Sequence, residues 1–97
     1  MDEIKEFNPE VVKAFFALTE EITNEIDFSQ REKELILIAM FLVNRGISGL
    51  NTHIHRALSA GASEEEIYHT ILLGLPVVGI TDVNLAFKEA TKIFGEK

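Results

Sequence analysis

The two side chains best suited to proton chemistry are Glu34 and His53, nineteen residues apart. Glu34 stands at the edge of the apolar run Leu35 to Val43. A carboxylate there needs a partner, because burying an unpaired charge is costly. An imidazole is a fitting one, since it changes charge near neutral pH and can serve as a general acid or base. Glu34 falls one turn into one helix and His53 one turn into the next, beyond a glycine-rich bend. In a helical hairpin with a short turn, those positions come to the same level. Contact, direct or through one water, is therefore expected near a subunit boundary. The pair reads either as a proton-transfer site, with Glu34 orienting His53, or as a hydrogen-bonded core pair. The residues alone leave both open.

Other chemistry is narrower. His53 and His55 point about 200° apart on a helix and cannot chelate one ion, so no metal site is expected. His69 reads as a surface residue. The chain has no cysteine, which excludes disulfides and any nucleophilic or redox thiol. Gly46 and Gly49 read as turn and helix-start residues. Alternatively, they open a small cavity whose helix-start N–H groups can meet an anion.

The elements that position these residues are helical. Asn8-Pro9-Glu10 opens a helix by capping, proline at its first position and an acid at the positive end of the dipole. Val11, Phe15, Leu18 and Ile22 follow at helical spacing. Ser29 and Glu32 form a capping box before the apolar run 35–43. A helix apolar all round is buried all round, so this one is read as central. Asn44 to Gly49 break it. Leu50, Ile54, Ala57 and Leu58 form the next stripe, ended by Gly61. Ser63 and Glu66 make a second capping box before Ile67, Ile71, Leu72 and Leu75, and the helix stops near Pro76. Residues 75–80 are compatible with a loop, a kinked extension or a short strand. Thr81-Asp82 can cap a last helix, with Val83, Ala86, Phe87, Ala90, Ile93 and Phe94 inward. The expected fold is all-α, a single antiparallel domain of about five helices over residues 1–97.

At 97 residues such a domain buries only about 60–65% of its unfolded surface. Disulfides and zinc are excluded, so oligomerisation through the apolar helices is the expected compensation. A net charge of −7 argues against nucleic acid and anionic lipid surfaces as partners. The longest apolar run is nine residues, against roughly 20 for a membrane span, and no signal peptide is evident. A cytoplasmic protein with no membrane partner is expected.

Glu34, the nineteen-residue step to His53, the segment His53-Ile54-His55-Arg56-Ala57-Leu58-Ser59-Ala60-Gly61-Ala62 and the capping box after it resemble the carboxymuconolactone decarboxylase and alkylhydroperoxidase-D-like family over roughly residues 25–95. That pattern places a CxxC pair where this chain has Gly46 and Gly49, so the family's thiol peroxidase activity does not carry over. The decarboxylase branch also lacks the cysteines. For it, the resemblance implies a lyase acting on a small carboxylic acid or lactone, with His53 as proton donor or base, Glu34 as its orienter and Arg45 as a carboxylate clamp. Polar residues fill the two glycine positions in that branch, which is a departure here. The resemblance implies a homo-oligomer, trimer or hexamer. No cofactor is expected, and a small anionic ligand at Arg45, Gly46 and Gly49 is allowed. The alternative is a non-catalytic ligand-binding or assembly protein on the same scaffold.

Overall fold

The computed structural model describes residues 2–95. Its helices are α1 (Asp2–Phe7), α2 (Pro9–Glu25), α3 (Gln30–Val43), α4 (Ile47–Ser59), α5 (Glu64–Leu72), α6 (Leu75–Val78) and α7 (Ile80–Gly95), with no strand among the described residues. The fold is all-α, as expected, with two short helices added to the five read from the sequence.

Local chemistry sets the boundaries. Asn8 caps α2 by accepting from the Glu10 N–H at 3.1 Å, with Pro9 following it. The Asn8 N–H reaches back to the Ile4 carbonyl at 2.7 Å, so α1 runs almost directly into α2. Both capping boxes close in full. The Glu32 N–H donates to Ser29 Oγ and the Ser29 N–H to Glu32 Oε1; Ser63 and Glu66 repeat the arrangement. The Glu66 carboxylate also pairs with Arg31, tying the start of α5 to the start of α3. The Arg31 guanidinium and the Ser63 N–H together hold the Glu66 carboxyl at about 2. After α4, Gly61 takes a left-handed conformation (φ 98°), the Ala62 N–H bonds to the Ala57 carbonyl and the Gly61 N–H to that of Leu58. This is a Schellman stop, which satisfies carbonyls that the helix end would otherwise strand.

Residues 75–80 resolve as one helical turn followed by a break at Gly79 (φ 89°). Helix α7 begins at Ile80, so Thr81 and Asp82 lie in its first turn rather than ahead of it. Asp82 keeps its favourable place at the positive helix end.

The core is built by α3, α4, α5 and α7 around Ile38, Leu50, Ile54, Ile67, Ile71 and Ala90. Helix α3 packs on the other three. Within the chain, however, it is buried along one stripe only, Glu34, Ile38 and Leu42, while Ile36, Met40 and Val43 stay exposed. Its sequence is apolar on every side, but one chain supplies neighbours for only part of it. Helix α2 lies outside the core, with Val12 its one buried residue. Its apolar stripe, Val11, Phe15, Leu18 and Ile22, is exposed. The Lys33 ammonium ties α3 to the C-terminal part of α2 by donating to the Thr23 carbonyl at 2.6 Å. Among the described residues no helix is long and apolar enough to cross a membrane.

Candidate functional site

Glu34 heads the buried stripe of α3, and His53 lies beside Ile54 and Leu50 on the inward side of α4. The short Asn44–Gly46 link folds α4 back onto α3. It is closed by the Gly46 N–H, which bonds to the Phe41 carbonyl at 2.9 Å and to Asn44 Oδ1 at 2.8 Å. The result is direct contact, with His53 Nδ1 and Glu34 Oε2 2.7 Å apart. The two side chains are only 13% and 4% exposed. Gln30 Nε2, one turn earlier on α3, donates to the other carboxylate oxygen at 3.1 Å. An ionised carboxylate only accepts, so the imidazole must donate from Nδ1. That leaves Nε2, which has no hydrogen-bond partner among the described residues, free to take or return a proton.

Two features surround the pair. On one side the Phe41 ring stacks on the imidazole, with centroids 5.2 Å apart and planes 16° from parallel. On another, Glu34 and His53 help line a cavity of about 440 Å³ between α2, α3 and α4. Its walls are mainly apolar, with Ile22 from α2, Ile26 and Phe28 from the link after it, and Ile36, Leu37 and Met40 from α3. Lys33 and Arg56 supply its positive charge. Arg56 has no carboxylate partner among the described residues, whereas the Lys33 ammonium is already bonded to the Thr23 carbonyl.

The other residues singled out by sequence fall elsewhere. Arg45 sits in the turn at φ 61°, pairs with Asp82 at 3.1 Å and lines a separate cavity of about 190 Å³ with Phe41 and Leu50. The structure does not bring it to the cavity that His53 lines; the arginine there is Arg56. Gly46 is the N-cap of α4 and Gly49 lies in its first turn. The Phe41 ring fills the space above Gly49 and shares the space above Gly46 with Asn44 Oδ1. His55 is exposed, and His69 lies 3.6 Å from Glu65 on the surface. No three His, Cys, Asp or Glu side chains among the described residues are grouped to hold a metal.

Among the residues around the pair that sequence reasoning missed, Arg56 and Phe41 each left a signal. Arg56 follows His53 by three residues, which puts both on one face of α4. Phe41 follows Glu34 by seven, which puts it on the same face of α3.

Comparison with known proteins agrees with this architecture. The model of the carboxymuconolactone decarboxylase family matches residues 9–92. No curated protein and no solved structure gives a match. The matched span takes in α3, α4, α5, all of α7 but its last three residues, and both members of the buried pair, and the chain belongs to the carboxymuconolactone decarboxylase family.

Proposed function

We propose that the cavity beneath α2 binds a small carboxylic acid or lactone acid, and that Glu34 and His53 make the protein a cysteine-free decarboxylase-like lyase. The observation that carries this reading is the arrangement of the imidazole. It is nearly buried, anchored through Nδ1 to a carboxylate and left unpartnered at Nε2, on the wall of an apolar cavity that also holds Arg56. An apolar wall disfavours a carboxylate relative to neutral carbon dioxide. Arg56 offers the carboxylate a landing point that can be given up as charge disperses. When the bond to the carboxyl carbon breaks, its electron pair stays on the substrate carbon. A proton from the imidazolium Nε2 quenches that carbon, and solvent returns the proton to the ring. Glu34 stabilises the imidazolium and fixes which nitrogen works.

The test is carbon dioxide release from a carboxylated muconolactone and a panel of related unsaturated lactone acids. Release by the native protein, reduced about 100-fold or more in His53→Ala, is expected. No release from any member, with no binding by calorimetry, would overturn the proposal. Binding without release would instead support a second reading, a non-catalytic protein for small anionic ligands. That reading is favoured by a cavity lining that is mostly apolar.

We propose further that the working form is a homo-oligomer, a trimer or hexamer. The apolar stripe of α2 and the Met40 and Val43 side of α3 have no cover within one chain. A stable monomer mass by light scattering of a dilute sample would overturn this.

A further inference from the structure

Gly46 and Gly49 pose a question that the backbone does not answer. Gly46 has φ −83° and Gly49 lies within a regular helix, so neither is in the left-handed region that favours glycine. Glycine inside a helix is unfavourable relative to alanine. The explanation is space. A Cβ on Gly46 would stand 2.8 Å from Phe41 Cδ1 and 2.8 Å from Asn44 Oδ1. A Cβ on Gly49 would stand 2.7 Å from Phe41 Cζ, and closer still to Cδ1 and Cε1. Gly49 clears room for the ring alone, Gly46 for the ring and the Asn44 amide oxygen, and that ring lies flat on His53. The same ring lines the smaller cavity that contains Arg45. It therefore stands between the imidazole and the Arg45–Asp82 pair.

We infer that Phe41, seated on Gly46 and Gly49, is a positioning residue for His53. Stacking fixes the plane of the imidazole, so that Nδ1 stays on Glu34 and Nε2 stays unpaired. It also closes that face of the imidazole to ligands, leaving approach from the cavity beneath α2. Arg45 is held apart, which assigns the reception of an anionic group to Arg56. The consequence for turnover rests on the reaction proposed above; the seating of the imidazole does not.

The experiment is a long-range ¹H–¹⁵N histidine correlation on the intact protein in alkaline buffer, where an imidazole is neutral and its two tautomers are resolved. The native protein should show His53 as one tautomer, protonated at Nδ1. Phe41→Leu removes the ring and Gly49→Ala pushes it aside. Each should shift His53 to a mixture in which the Nε2-protonated form is visible. Adding Gly49→Ala to Phe41→Leu should change the spectrum no further, since no ring remains to displace. Ile93→Val, a core change outside the site, should lower stability and leave the tautomer untouched. If Phe41→Leu fails to fold, Gly49→Ala carries the test alone, because it adds a single methyl group. A folded Gly49→Ala or Phe41→Leu protein that keeps the native tautomer would overturn the inference. Absence of carbon dioxide release from the native protein would overturn the proposed reaction and leave this result standing, so the two failures are distinguishable.

Discussion

Removing the imidazole gives a prediction whose size follows from the geometry. In His53→Ala, Glu34 Oε2 loses its 2.7 Å donor while Oε1 keeps Gln30. A hydrogen bond to a charged group contributes about 1.5–3 kcal/mol. Losing the stacked contact with Phe41 adds about 0.5–1.5 kcal/mol. Water from the adjacent cavity can reach the vacated oxygen and offsets part of this, so a net cost of about 2–3 kcal/mol is expected. The discount owed to surface ion pairs does not apply, because both side chains are close to buried. Glu34→Gln keeps the shape but turns one acceptor into a donor that faces either Gln30 or His53, at a cost of about 1 kcal/mol. In the double variant no carboxylate remains to be stranded. The total should therefore fall short of the sum of the singles by about 1–2 kcal/mol. Urea denaturation at one fixed protein concentration measures all four corners of the cycle. Additivity within about 0.5 kcal/mol would refute the reasoning. Singles that are neutral or stabilising would mean instead that the pair is kept for function at the expense of folding.

Three further outcomes are expected. The depressed Glu66 carboxyl contributes stability that is fully present above its ordinary value of 4.5 and is lost as pH falls toward about 2. The difference in urea midpoint between native protein and Arg31→Met should therefore shrink across that window, and a difference that grows on acidification would reverse the assignment. Gly61→Ala should cost about 1–2 kcal/mol, because φ is 98° and nothing lies within 4 Å to complicate the strain; an unchanged melting temperature would contradict it. With no cysteine in the chain, metal-free protein and a dithiol should turn over no organic hydroperoxide above the no-protein control.

Most helix boundaries were legible because their causes are local. Ser29, Ser63 and Gly61 each act within a few residues, and the structure uses all three as their types suggest. Helix α1 was not legible: its six residues hold only Ile4 and Phe7 as apolar side chains, and its continuity depends on one backbone bond from Asn8. The outcome at residues 75–80 was underdetermined because Pro76 can end one helix or sit in the first turn of the next; here it sits in the first turn of α6, which Gly79 then stops. For α3, an apolar pattern on every side carries no information about which side faces inward. The stripe through Ile38 and Leu42 is chosen by α4, α5 and α7, which are distant in sequence.

The site divides along the same line. Glu34 was legible because a carboxylate against an apolar run must find a donor, and a hairpin limits where that donor can come from. The arginine that lines the cavity with His53 is not the one beside the bend, because helical phase, not nearness to the turn, decides which side chain shares a face with the imidazole. Arg45 leaves the turn toward Asp82, whereas Arg56 shares a face with His53. The glycines show the deeper limit. A glycine in a sequence is most readily read as conformational freedom, and at Gly61 and Gly79 that reading is right. At Gly46 and Gly49 the backbone asks for nothing special. What those positions require is the absence of a side chain, and the cause is an aromatic ring on the preceding helix, joined at Gly46 by Asn44 Oδ1. Gly46 and Gly49 reach the imidazole only through Phe41, by the space they leave for the ring that stacks on His53.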